Sequence, residues 1–259
     1  MTLLTDLTQR LRPGTALDPA LDAALALVQR VGFTSVIYDY TPVPRTHEGV
    51  LITPNILEGR EVPEDMMRLW RSGFYQLDPV QDAALASAAP FVWSACGRQS
   101  RVMETVLCQR HDPVLDYMRD MHFSCGVTVP IHHPGGDLAT FTAICVDAKE
   151  GFGAQAAELA PAIGILGQTF HDVVQAGFAP ETRRSRYMRL SPREVQCLSL
   201  CAEGLTAKEI ARRLDRSVPT VTLHLNSAGR KLGARNRFQA VARAAHYRLL
   251  DLESEGQAA

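Results

Sequence analysis

Two hydroxyl-to-acid helix starts, fifteen residues apart, constrain the last quarter of this chain to short, closely spaced helices. Ser191 offers a capping hydroxyl, Pro192 takes the first helical position and Glu194 the third. Thr206-Ala-Lys-Glu209 repeats the device without the proline. The first helix presents Val195, Leu198 and Cys201 inward and stops at Gly204; Ile210, Ala211 and Leu214 share one face of the second. Asp215-Arg216 makes a turn. Ser217 caps a third helix, which tolerates Pro219 in its first turn and ends at Gly233. Val221, Leu225, Ala228 and Leu232 form its packing face, leaving Thr220, Thr222, Asn226, Ser227, Arg230 and Lys231 pointing outward. Arg237–Leu250 reads as a fourth helix, amphipathic through Phe238, Val241, Ala245 and Leu249.

Charge sets this module apart. Arg183 to Leu250 carries 15 Lys and Arg against 4 Asp and Glu, a net of +11. Residues 1–182 carry 12 against 21, a net of −9, and three more acids follow Leu250. The overall charge of −1 hides the split. A basic end suggests phosphate contact, and polar side chains on an exposed third helix can reach base edges in the major groove. Leu190-Ser-Pro-Arg-Glu194, Leu198, Ala202-Glu-Gly204, Glu209-Ile-Ala211, Ser217-Val-Pro-Thr-Val221, His224 and Arg230-Lys-Leu232 together resemble the LuxR-type four-helix DNA-binding domain. The resemblance implies double-stranded DNA as a partner. The candidate contacts are Thr220, Thr222, His224, Asn226, Ser227, Arg230 and Lys231. Gly229 departs from expectation, since glycine inside a helix costs ~1 kcal/mol relative to alanine.

Composition is that of an ordinary globular protein, 46% hydrophobic and 21% charged over 259 residues, enough for two modest domains. No apolar run approaches the ~18 residues of a membrane span. The N-terminus lacks a signal-peptide core. A cytoplasmic protein is expected, with Cys96, Cys108, Cys125, Cys145, Cys197 and Cys201 reduced and mostly buried. Cys197 and Cys201 lack a second ligand pair, so no metal is expected.

The first part of the chain reads as α+β. Leu17–Val31 is an amphipathic helix ending at Gly32, and Phe33–Tyr40 a strand, with Glu48–Thr53 as its returning strand. Pro63–Arg71 suits a short helix. Asp78 caps the next one, with Pro79 at its first position and Gln81 as capping-box partner. Pro113–His122 is a further short helix. Cys125–Ile131 and Leu138–Val146 flank HHPGGD as a hairpin, which leaves His132 and His133 as exposed loop residues. Ala154–Val174 is a long helix. Its stripe of Leu159, Ile163, Leu166 and Phe170 serves either a dimer contact or packing on its own sheet. The domains expected are 1–176 and 190–250, joined by a linker over 177–189.

A phosphorylatable receiver is excluded, because no acidic pair follows an early strand and Lys149 is the one lysine before residue 208. Leu77-Asp78-Pro79-Val80, Phe91-Val92-Trp93, Gly126-Val-Thr-Val-Pro130 and Phe141-Thr142 instead resemble the autoinducer-binding domain of LuxR-type quorum-sensing regulators. That resemblance implies an α/β/α sandwich on a five-stranded antiparallel sheet, with a small molecule between the sheet and one helical layer. It assigns Asp78 to accept a ligand amide N–H, places Thr142 beside the ligand's acyl or carbonyl oxygen, and puts Trp93 in the pocket wall. Phe91 and Tyr38 complete the candidate set.

Two departures bear on the ligand. Family members that bind acyl-homoserine lactones carry a tryptophan, whose N–H grips the lactone carbonyl, and a tyrosine four residues later. Met66 and Trp70 stand at those positions when Pro63-Glu64 and Asp78-Pro79 are aligned. Methionine has no N–H to offer. The exchange looks like that of the LuxR solos of plant-associated bacteria, described as responding to plant compounds, including ethanolamine derivatives. The expectation is therefore a ligand-responsive transcriptional regulator in interkingdom signalling, acting as a homodimer on a pseudo-palindromic site. A lactone receptor with an altered pocket is the alternative, and a ligand-independent DNA-binding protein with a dimerisation module the third. No cofactor is expected, and no catalytic constellation stands out.

Overall fold

The computed structural model describes residue 12 and residues 14–95 and 100–250. Cys96 and the acidic tail lie outside them. The chain divides into two compact units. One holds the residues up to Pro44 and Val50–Arg183; the other holds Arg45–Gly49 and the residues from Arg184 on.

In the first unit, five antiparallel strands lie in the order β2-β1-β5-β4-β3: β1 (Ser35–Thr41), β2 (Ile56–Arg60), β3 (Phe91–Ser94), β4 (Phe123–His132) and β5 (Leu138–Val146). Tyr38 pairs with Phe141 and Ile37 with Thr142, so alternate residues of β1 and β5 serve opposite faces. One face carries Val36, Tyr38, Tyr40, Val127, Val129, Phe141 and Ala143 and is covered by α1 (Leu17–Gln29) and α6 (Phe152–Gln175). Helix α1 docks through Ala20, Leu21, Ala24, Leu27 and Val28, a 3.6-residue pattern. Burial of both faces explains why all seven residues of β1 are inaccessible.

The other face is covered by α2 (Glu64–Ser72), α3 (Pro79–Ala86), α4 (Arg101–Val106) and α5 (Asp112–Asp120). Ile37, Leu57, Phe91, Trp93, Phe123 and Ile144 meet Met66, Met67, Trp70, Met103, Val114 and Met118 there. The expected α/β/α sandwich is thus present.

Several expectations are corrected. The strand returning to β1 is Ile56–Arg60, not Glu48–Thr53. Thr46 to Gly49 closes a turn, and Ile56 is the residue that reaches Tyr40 in register. Gln81 does not reach back to cap α3; its side-chain amide donates instead to Asp39 and Thr140. Ile163, Leu166 and Phe170 of α6 are at most 1% exposed and pack on the unit's own sheet, with Leu159 against the same core. These three residues therefore serve packing within the unit, and Leu159 is only partly buried. His133 is half-buried rather than a free loop residue, with Nε2 lying 2.6 Å from His171 Nε2. His171 Nδ1 is 2.7 Å from the Tyr38 hydroxyl, and burial, with His133 beside it, holds the His171 imidazole down at about 4.

The second unit is helical: α7 (Pro192–Ala202), α8 (Ala207–Arg213), α9 (Val218–Lys231) and α10 (Arg237–His246). Both capping boxes form, and Ser217 accepts from the Thr220 N–H. Cys197, Leu200, Ile210, Ala211 and Val221 make the core. In α10 the buried residues are Ala240 and Ala244, with Tyr247 just beyond; Phe238 is 73% exposed, contrary to the amphipathic reading. Small alanines let the helix approach closely, and the large ring is turned out.

Helix α6 approaches the sheet through Gly167, where a Cβ would sit 3.0 Å from Val129 and 3.1 Å from Phe141. Gly167→Leu should lower unfolding free energy by ~1–3 kcal/mol through overpacking, read in a urea titration. An unchanged midpoint would contradict this packing.

Candidate functional site

A small cavity lies beneath the sheet on the α2–α5 side. Ile37, Leu57, Met66, Met67, Trp70, Asp78, Val80, Gln81, Trp93, Met118, Phe123, Thr142 and Ile144 line it. Of the sequence-derived candidates, Met66, Trp70, Asp78, Trp93 and Thr142 are thus brought together. Phe91 packs in the same cluster but does not line the space. Tyr38 is corrected: β1 alternation turns it to the α6 face, where its ring lies 4.9 Å from Phe170. Sequence reading missed Ile37, Leu57, Met67, Val80, Gln81, Met118, Phe123 and Ile144. Their signal was available in part, since Ile37, Thr142 and Ile144 are same-face neighbours once β1 and β5 are paired.

Asp78 is the polar pole. It is the N-cap of α3, and its Oδ1 accepts from the Val80 N–H at 2.8 Å. Its Oδ2 accepts from the Trp70 indole N–H at 2.7 Å. The side chain is 5% exposed. Burial pushes its carboxyl up to about 6, against the downward pull of these two bonds. Trp70 therefore spends its single donor on Asp78. Met66, one turn earlier on α2, lines the cavity with a thioether and no donor.

Trp93 is held by glycine. A Cβ on Gly126 would lie 2.3 Å from the Trp93 ring, so the indole lies over that residue only because it has no side chain. The Trp93 N–H donates to Thr128 Oγ1 at 3.0 Å, and Thr128 and Thr142 share a 2.9 Å hydroxyl contact. Behind Gln81 sits a second acid, Asp39, wholly buried on β1. It accepts from Tyr75 at 3.0 Å, from Gln81 Nε2 at 3.1 Å and from the Thr140 hydroxyl. Burial pushes its carboxyl up to about 7.

The cavity leaves about 30 Å³ for the centre of a water-sized sphere, room for roughly two waters. A larger occupant requires its walls to move. Met66, Met67 and Met118, each unbranched with three rotatable bonds, supply that freedom.

In the second unit, α9 carries the candidate DNA-contacting residues. Thr222, Asn226 and Arg230 are exposed, and Thr220 and His224 are half-buried. Ser227 and Lys231 also make contacts within the unit. Ser227 donates to Glu194 Oε1 at 2.8 Å and Lys231 Nζ to Oε2 at 2.7 Å. Glu194 is 4% exposed, and burial pushes its carboxyl up. Bonds from Lys231, the Ser191 N–H and Ser227 outweigh burial and hold it at about 2. The two residues thus tie α9 to α7; Ser227 is half-buried, while the Lys231 side chain stays 45% exposed. Val218 and Leu223, 42% and 63% exposed, were missed as candidates; apolar side chains there can meet thymine methyls. Arg212, Arg213, Arg216, Arg235 and Arg237 are also exposed on this unit. A Cβ on Gly229 would meet nothing within 4 Å, so no packing in this unit explains the glycine.

Comparison with known proteins agrees with both halves. An autoinducer-binding domain model matches residues 17–174, and a model of bacterial regulatory proteins of the luxR family matches residues 188–244. BjaR1, a transcriptional activator of Bradyrhizobium diazoefficiens, is 27% identical over 90% of this chain and 89% of its own. RpaR, a quorum sensing-dependent transcriptional regulator of Rhodopseudomonas palustris, is 29% identical over 85% and 83%. Escherichia coli SdiA shares the fold, with a TM-score of 0.54 at 21% identity over 96% of each chain. Its complex with octanoyl-rac-glycerol gives a TM-score of 0.55 over 95% of this chain and 93% of that one. The chain belongs to the LuxR family of transcriptional regulators, with a small-molecule-binding autoinducer domain ahead of a DNA-binding helix-turn-helix.

Proposed function

We propose that this regulator is a LuxR solo that senses a low-molecular-weight plant-derived compound, such as an ethanolamine derivative, in place of an acyl-homoserine lactone. The observation that carries the reading is the spent indole. Met66 stands where a lactone receptor has its carbonyl-gripping tryptophan, and the Trp70 N–H is engaged by Asp78. Among the lining residues, no indole N–H is left for a lactone carbonyl, since Trp93 donates to Thr128. Asp78 keeps lone pairs for a ligand N–H, Thr142 a hydroxyl for a ligand oxygen, and Trp93 a wall. Phe91 supports that wall from behind. SdiA has been crystallised with an acylglycerol, so a fold of this kind accepts a ligand without a lactone ring.

The regulator acts in the cytoplasm as a homodimer on a pseudo-palindromic site, with half-sites one helical turn or a multiple apart. Helix α9 enters the major groove through Thr220, Thr222, His224, Asn226 and Arg230. Ligand binding to the folded state stabilises it by RT ln(1 + [L]/Kd), which couples signal to the amount of competent protein.

A thermal-shift panel of acyl-homoserine lactones and ethanolamides tests the ligand class. Ethanolamides should raise Tm and lactones should not, and Asp78→Asn should abolish the response. A shift with lactones alone would return the protein to the ordinary quorum receptors.

For the DNA unit, Arg230→Ala should weaken operator binding by ~1–3 kcal/mol in a fluorescence-anisotropy titration. Lys231→Ala should instead lower stability by roughly 1–2 kcal/mol, because it strips a partner from buried Glu194. Unchanged affinity in the first variant, or unchanged stability in the second, would contradict these assignments.

A further inference from the structure

The cavity is lined by an acid and by aromatic rings, and among its lining residues there is no Lys, Arg or His. Asp78 meets the neutral donors of Trp70, Val80 and the Gln81 backbone. Asp39, one step behind the wall, meets only the neutral donors of Tyr75, Gln81 and Thr140. The two acids feel one another, since the charge on Asp78 disfavours ionisation of Asp39. A third buried acid, Asp82, is treated differently: it pairs with Arg110 and with His111. The fold thus supplies a cation to the buried acid that faces away from the cavity and none to the two beside it. Buried charges without a cation are costly, and a ligand that brings one relieves that cost.

Gln81 connects the two acids to the space. It lines the cavity, and its side-chain amide donates to Asp39 at 3.1 Å. Ile37 and Thr142 line the wall, and Asp39 and Thr140 are the adjacent pair on the same strands and the same face. Trp70, Trp93 and Phe123 also line the space. Aromatic faces beside a carboxylate are the chemistry that holds alkylammonium groups.

We infer that the ligand carries a protonated amine, with Asp78 as its direct counter-charge and Asp39 as a second one acting through Gln81. The inference rests on the proposed ligand-sensing role and narrows it from ethanolamine derivatives in general to those that carry a protonated amine. Asp39 is a positioning and specificity residue; it does not line the cavity itself.

Two size-matched probes test this by calorimetric titration near neutral pH: N-(2-hydroxyethyl)hexylamine, a cation, and N-(2-hydroxyethyl)hexanamide, its neutral counterpart. The cation should bind wild-type protein roughly tenfold more tightly, the gap between charged and neutral hydrogen bonds. Asp39→Asn should shrink that preference, read as the ratio of the two dissociation constants, with Asp78 left as the direct counter-charge. Equal or tighter binding of the amide by wild-type protein overturns the inference, as does a preference undiminished by Asp39→Asn or the binding of neither probe. The wild-type comparison decides even if Asp39→Asn fails to fold. Binding of the amide without a cation preference leaves the ethanolamide-sensing role intact. Binding of an acyl-homoserine lactone in place of both probes removes that role as well.

Discussion

A carboxylate buried under an antiparallel sheet organises the first unit. Asp78 ends a 3-10 turn, caps α3 and anchors the Trp70 indole, so one side chain joins α2 to α3 across the loop between them. A group this costly to bury persists only where its partners are fixed. Here the partners are a backbone N–H at a helix start and an indole packed against Phe74 and Tyr117, which also touch one another. The cavity is the space beside this joint. Its polarity comes from the joint, and its capacity to grow comes from the methionines around it.

Much of this was legible before any coordinates. Asp78-Pro79 announced a capped helix, and the family resemblance, aligned on Pro63-Glu64 and Asp78-Pro79, pointed to Met66 and Trp70, which line the wall. The hairpin of β4 and β5 followed from HHPGGD and its apolar flanks. The strand β2 was not legible, because Ile56-Leu57-Glu58-Gly59-Arg60 alternates weakly and Glu48–Thr53 offered a closer partner for β1. Tyr38 was misplaced for a related reason. Every residue of β1 is buried, so composition cannot say which face a side chain serves; only the pairing with β5 does. The Trp70–Asp78 bond lies beyond local pattern altogether, since it depends on how the 3-10 turn Phe74–Leu77 folds the chain back.

The helical unit shows the converse. Its helix starts, turns and stops were legible almost residue by residue, because capping chemistry is local. Its errors concern direction. Ser227 and Lys231 are polar and sit away from the apolar stripe, yet both bond a buried glutamate, Ser227 half-buried and Lys231 from the surface. Glu194 had been read only as the acid of a capping box. It also accepts from α9, and this double use sets how that helix is held against α7. Phe238 was read as core by spacing, but the alanines of α10 already fill the interface.

The chain has two tryptophans, and both line the cavity. Their indole N–H resonances in a ¹H–¹⁵N spectrum report on this site alone. Titration with a bound ligand should move both, and in ligand-free protein Asp78→Asn should move the Trp70 resonance far more than that of Trp93. A ligand that binds and leaves both resonances in place would contradict the location of the site between the sheet and α2–α5.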